Sequence, residues 1–297
     1  MTGFARGTLR GGSGLRFVSI GILVFLVATG QPPHAAELSE DEYVFRLAGC
    51  VACHTHEGGG FLAGGPALET PFGTFYAPNI TAHREEGIGT WSEADLRRAL
   101  GEGVGPDGAH YYPVFPYTSY TRMSDDDVGR IYRFLMAVPP DPTPRREHDL
   151  PWFMEFRIVN WFWKRLFFDE GRYVADPARS AAWNRGAYLA TALAHCGECH
   201  SPRNRFGGVG EDHLAGNPSG PEGGAVPNIT PHEEKGIGRW TAEEIVDYLT
   251  SGALPDGDYA GGVMAEVIDE GLVHLKPRDA KAIAEYLRAL PPSPGAD

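Results

Sequence analysis

Cysteine is scarce, with only four in 297 residues. That is too few to staple a chain of this size with disulfides, the framework small secreted scaffolds rest on. Basic residues are also in short supply, 26 Lys and Arg against 39 Asp and Glu, for a formal net charge of −13. A nucleic-acid partner, which needs a basic face to neutralise phosphates, is thereby excluded. Long apolar runs are missing too. The run Phe17 to Thr29 falls short of the roughly 20 residues that cross a bilayer. It follows Arg6, Arg10 and Arg16 and gives way to Pro33-His34-Ala35-Ala36, with no acidic residue before Glu37. A basic start, an apolar stretch and small residues at the end predict a signal peptide over 1–36, cleaved near Ala36, and export to the periplasm; retention as an anchor is the alternative. No alternating apolar pattern of strand length stands out. What is abundant is turn-forming residue, 39 glycines and 24 prolines, about a fifth of the chain against a usual ~12%. With 42% hydrophobic and 11% aromatic residues the chain is not disordered. It folds, with many loops.

The cysteines fall in two places, Cys50-Val51-Ala52-Cys53-His54 and Cys196-Gly197-Glu198-Cys199-His200. Other segments recur in step with them. Pro78-Asn79-Ile80-Thr81 returns as Pro227-Asn228-Ile229-Thr230, His83 as His232, and Gly87-Ile88-Gly89-Thr90-Trp91 as Gly236-Ile237-Gly238-Arg239-Trp240. Two copies are too few for a solenoid and read as tandem domains, 37–141 and 173–297, joined by a linker over 142–172. Each copy has the same expected order. A helix leads into the first cysteine, with Ser39 and Glu42 as a capping box in the first copy. A Gly/Pro loop follows, then a short helix after Trp91 or Trp240. A final helix, Ser124 to Ala137 or Asp279 to Leu290, is stopped by Pro-Pro. The fold class expected is all-α, a few short helices and long loops per copy. Loops that long need something to pack against.

Three chemistries use Cys-x-x-Cys. A thioredoxin-like redox pair needs a strand leading into a helix, and both motifs here follow helical patterns. One zinc site shared by four thiolates would have to join repeated segments 146 residues apart. Covalent haem attachment uses the two thiols to bind the macrocycle and the following His as the proximal iron ligand. Two Cys-x-x-Cys-His motifs at equivalent places of a repeat, with no other cysteine, favour this third reading. It expects two haem c groups, on Cys50, Cys53 and His54 and on Cys196, Cys199 and His200. A haem would give each set of loops its core.

With these motifs, and with Tyr112-Pro113-Val114-Phe115-Pro116-Tyr117-Thr118-Ser119-Tyr120, the chain resembles the dihaem members of the cytochrome c family. It looks most like the periplasmic cytochrome subunits of alcohol, gluconate and similar sugar dehydrogenases, over about 250 residues. The resemblance implies electron transfer rather than catalysis, two all-α domains with one haem each, and His/Met axial ligation. Of the five methionines, Met264 lies where the family's distal Met loop lies. Met123 is the candidate in the first copy, although the position equivalent to Met264 is Phe115; a core side chain is its other reading. His83, His110 and His232 are alternative ligands. Pro66 in Gly64-Gly65-Pro66 resembles the loop whose proline carbonyl orients the proximal His, or is an ordinary turn proline.

The expected partners are a dehydrogenase donor and an oxidase or cytochrome acceptor. The stretch 152–168 is dense in aromatics with basic residues interleaved. It reads either as a helix packed between the domains or as an exposed platform for a membrane or a protein partner. Rival functions are a dihaem peroxidase, which would need Met123 not to ligate, and a thiosulfate dehydrogenase, which would need a fifth cysteine.

Overall fold

The computed structural model describes residues 38–295 other than 211, 221 and 222; the expected signal peptide lies outside the described residues. The chain enters through α1 (Glu40–Leu47), capped by Ser39, whose hydroxyl accepts from Glu42 N–H at 3.1 Å. Only half of the expected capping box forms, because the Glu42 carboxylate turns to Arg46 one helical turn on. Gly49, with φ 69°, then turns the chain left-handed into α2 (Cys50–His54), which is the first cysteine motif.

A loop follows that contains the antiparallel hairpin β1 (Ala67–Thr70) and β2 (Gly73–Tyr76), in register Ala67 to Tyr76. The chain is mostly helical as expected, and among the described residues this two-stranded hairpin is the one sheet. Its strands are four residues long, too short for alternation to declare itself, and its buried Phe75 is held by Tyr112 and His148, with ring centroids 5.2 and 5.4 Å away. Next come α3 (Glu93–Glu102), α4 (Tyr117–Tyr120) and α5 (Asp125–Ala137). Ser92 and Asp95 form a full capping box on α3, and Ser124 caps α5.

In the linker, a 3-10 turn (Trp152–Met154) leads to α6 (Ile158–Phe167). This helix divides its rings between two faces. Asn160 and Lys164 are buried and Trp163 and Phe167 half-buried, while Trp152 is 73% and Leu166 74% exposed. Both readings of the stretch hold in part: Trp163 and Phe168 pack on Tyr117 and Phe167 stacks on Phe206, while Trp161, Phe162 and Leu166 face out.

The second half repeats the pattern as α7 (Ala181–Tyr188), a π-helical turn (Leu189–Leu193), α8 (Gly197–His200), α9 (Ala242–Ser251), α10 (Gly262–Glu270), a 3-10 turn (Leu272–His274) and α11 (Pro277–Arg288). The last helix starts two residues before Asp279, with Pro277 at its first turn. α1 packs on α5 and α7 on α11; α3 lies against α5 and α9 against α11. α7 and α11 cross so closely that a Cβ at Gly186 would sit 1.9 Å from Ala282 O. Residues 38–295 lie within one compact unit. The contact between halves is polar as well as apolar. Asp279 on α11, 1% exposed, accepts from Tyr43 of α1 at 2.7 Å and from Arg185 of α7 at 2.7 and 3.1 Å.

Candidate haem-attachment site

Two sequence features aim each motif histidine. In α2, His54 Nδ1 lies 2.7 Å from Pro78 O, and in α8, His200 Nδ1 lies 2.8 Å from Pro227 O. A carbonyl can only accept, so each Nδ1 carries the proton and each Nε2 presents its lone pair. Neither Nε2 has a protein hydrogen-bond partner among the described residues. Burial, only partly offset by these bonds, pushes both imidazoles toward the neutral, ligating form. The acceptor is therefore Pro78, not Pro66.

Pro78 and Pro227 open the repeated Pro-Asn-Ile-Thr segments, and the asparagines explain why their carbonyls stay in place. Asn79 Oδ1 accepts from Thr81 N–H (2.9 Å) and Oγ1 (2.8 Å), and its amide donates to the carbonyls of Asp141 and Thr143 at 2.8 and 3.1 Å. Asn228 Oδ1 accepts from Thr230 at 2.8 and 2.7 Å and its amide donates to Ser293 O at 2.7 Å. Each asparagine thus ties its proximal loop to the chain beyond the last helix of its half. His83 and His232 belong to the same loops. Their Nδ1 atoms accept backbone N–H groups, from Glu86 at 3.0 Å and from Lys235 at 3.1 Å, so they clamp turns. His110 accepts from Lys164 Nζ at 2.9 Å.

Sequence reasoning missed three features. Leu62 and Leu214 both take a left-handed φ, 61° and 63°, while fully buried, and their carbonyls accept from Ile80 and Ile229 at 2.9 and 3.0 Å. Strain repeated beside both histidines marks a functional loop; only glycine advertises positive φ in a sequence, and these are leucines. The second is His195, at φ 41°, in the place Gly49 holds in the first half. Its Nε2 approaches Ala48 O at 3.3 Å and its ring meets that of Tyr120 edge-on at 5.2 Å, so the entrances to the two cysteine motifs touch. The third is Glu198, between the second pair of cysteines. It accepts from Thr118 and Ser119 of the first half at 2.6 and 2.5 Å and pairs with Arg203. Burial opposes its ionisation, but Arg203 and the two hydroxyls outweigh that and hold its carboxyl below the usual range.

All four cysteines are free thiols. Burial pushes Cys50 and Cys196 up to about 12 and Cys53 to about 11. Thiols so raised stay protonated with nothing bound, unlike the depressed thiols of redox pairs. Among the described residues no group of three or more His, Cys, Asp or Glu gathers as a metal cage. Cys53 keeps an exposed side chain. Among the described residues two buried uncharged donors, the Tyr117 hydroxyl and the Trp183 indole N–H, have no partner, and such orphans are rare. Paired free thiols followed directly by an imidazole whose Nε2 is open fit covalently held haem. Met123 is fully buried just before α5, and Met264 stands half-buried in the first turn of α10 rather than in a loop.

Comparison with known proteins agrees with this geometry. The Cytochrome c family model matches residues 42–139. A dihaem cytochrome c-type protein of Cereibacter sphaeroides is 41% identical over 86% of this chain and 86% of its own length. The fructose dehydrogenase cytochrome subunit of Gluconobacter japonicus is 39% identical over 89% of this chain and 54% of that subunit. The quinone-type alcohol dehydrogenase cytochrome c subunit of Gluconobacter oxydans is 35% identical over 95% of this chain and 59% of that subunit. The chain thus spans somewhat more than half the length of these two dehydrogenase subunits. With a family match over the first motif and a relative aligned along most of both chains, this protein belongs to the cytochrome c family, whose members carry electrons on covalently attached haem.

Proposed function

We propose that the chain is an exported dihaem electron relay built of two tandem cytochrome c domains, 37–141 and 173–297. One haem is held by Cys50 and Cys53 with His54 as proximal ligand, the other by Cys196 and Cys199 with His200. Met123 and Met264 supply the sixth ligands. Electrons come from a periplasmic or membrane-bound dehydrogenase and leave toward an oxidase or another cytochrome; the support for a dehydrogenase donor is that two relatives are named as cytochrome subunits of fructose and alcohol dehydrogenases.

The observation that carries the reading is the duplicated histidine-to-proline bond beside each cysteine pair. When bound, haem iron supplies one-electron chemistry, and thioether sulfur at the sixth position favours the reduced state more than a second imidazole would. The chain's own residues do the rest. The Nδ1–H···O=C bonds fix the imidazole orientation and raise its basicity. The contact of His195 with Ala48 and Tyr120 brings the two attachment turns together.

A potentiometric titration followed in the α band tests this. Two one-electron steps are expected, and Met123→Ala and Met264→Ala should each lower one midpoint and remove part of the methionine–iron charge-transfer band. An unchanged band and unchanged midpoints in Met123→Ala would overturn that ligand assignment.

A further inference from the structure

The linker helix α6 has an inward and an outward face. The inward face carries Trp163 and Phe167 together with two buried polar side chains. Asn160 donates to His110 O at 3.1 Å, and Lys164 Nζ reaches the carbonyls of Glu102 and Gly103, both at 2.6 Å, capping the C-terminus of α3. The solvent-facing arc carries Ile158, Trp161, Phe162 and Leu166, all exposed, and the preceding turn adds Trp152 and Phe156. A helix places residues three and four apart on one face, so this is one continuous apolar strip and not scattered side chains. Strips of this kind on a soluble surface mark a docking site.

We infer that this face rests on the surface of a lipid bilayer containing anionic headgroups. Three observations select lipid over protein. First, the inward polar groups of the segment are satisfied by the protein: Asn160 and Lys164 as above, and Trp163 Nε1, which donates to Phe206 O at 2.8 Å. The outward residues Ile158, Trp161, Phe162 and Leu166 offer only the Trp161 indole N–H for the hydrogen bonds a protein interface carries. Second, basic residues stand in the strip itself. In a chain of net charge −13, residues 152–168 hold Arg157 and Arg165 beside the inward Lys164, against Glu155, and Asp169 and Glu170 follow only after the helix. Arg165 is exposed and lies over the Trp161 ring at 5.7 Å, and Arg205 lies over the neighbouring exposed Phe206 at 4.7 Å. Arginine and indole at the rim of an apolar face is the arrangement of helices that lie in a membrane interface. Third, a second copy fits poorly, because a two-fold contact through α6 would bring Arg157 and Arg165 of both copies together.

The lipid surface would hold the relay beside membrane-bound redox partners, whichever donor serves it. The test is co-sedimentation of the purified, haem-loaded protein with vesicles of phosphatidylethanolamine and phosphatidylglycerol, and with phosphatidylcholine vesicles. The wild type is expected to bind the anionic vesicles more tightly and to lose part of that binding as salt rises. The triple variant W161Q/F162Q/L166Q should bind at least about tenfold more weakly to both. The double variant R157Q/R165Q should weaken on anionic vesicles alone, with an unchanged α band in each. None of these side chains fills the core, so folding is not at stake. Failure of the wild type to bind, equal binding by the triple variant, or a vesicle-independent dimer that the triple variant abolishes would each overturn the proposal.

Discussion

Asn79 and Asn228 show how much one side chain does here. Each is buried, satisfies its threonine locally and ties the proximal loop to a distant carbonyl. Removing such a group leaves several buried donors and acceptors unpaired. Asn79→Ala is expected to cost about 2–3 kcal/mol of stability. It should also loosen the Pro78 carbonyl, so the midpoint of the first haem shifts while the second holds; Asn228→Ala should do the reverse. Thermal melts and a redox titration check both halves of this expectation. The asparagine role was open to sequence reading, because Pro-Asn-Ile-Thr is repeated without a change. The left-handed leucines were not, since nothing about Leu62 or Leu214 distinguishes them from core residues until φ is seen.

Helices were legible where their ends carry polar signals. Ser92 with Asp95 and Thr241 with Glu244 both form complete capping boxes, each serine or threonine accepting from the third helical N–H. Ser92→Ala should lower stability by about 1 kcal/mol in denaturant melts and leave the haem spectrum unmoved, since α3 contacts the site only through its neighbours. The hairpin β1–β2 escaped because four-residue strands give no period, and α11 starts two residues earlier than expected, with Pro277 in its first turn. Asp279, inside that helix, is a buried acceptor for α1 and α7. α6 escaped for a different reason. A dense aromatic run is the ordinary sign of burial, and only the structure separates the inward Trp163 and Phe167 from the exposed Trp161, Phe162 and Leu166.

Across the whole molecule the two halves are joined by ionic and hydroxyl links. Arg46 reaches Glu270 at 3.2 Å, Ser124 N–H donates to Tyr188 Oη at 3.2 Å, and Asp279 joins α1, α7 and α11. Burial would raise the Asp279 carboxyl, but the bonds from Arg185 and Tyr43 outweigh it and hold it below the usual aspartate value. A lowered folded-state value means that its stabilisation is present above the unfolded value of about 4 and is lost as pH falls through the folded one. Asp279→Asn should therefore cost about 3 kcal/mol at neutral pH, modest for a buried pair because Arg185 keeps solvent access. The gap to wild type should close below about pH 4; urea melts across that range measure it, and a constant gap would contradict the role. At this scale the repeated motifs in the sequence lead to the proposal of two domains, whereas the bonds between halves rest on residues too far apart in the chain for any local pattern to pair them.

The most direct measurement is the mass of the unfolded, acid-extracted chain, in wild type and in C50A/C53A and C196A/C199A variants. Thioether-bound haem stays with the polypeptide through denaturation. The wild type should carry the mass of two haem groups and each double variant the mass of one. A wild-type chain carrying one haem or none would contradict the account.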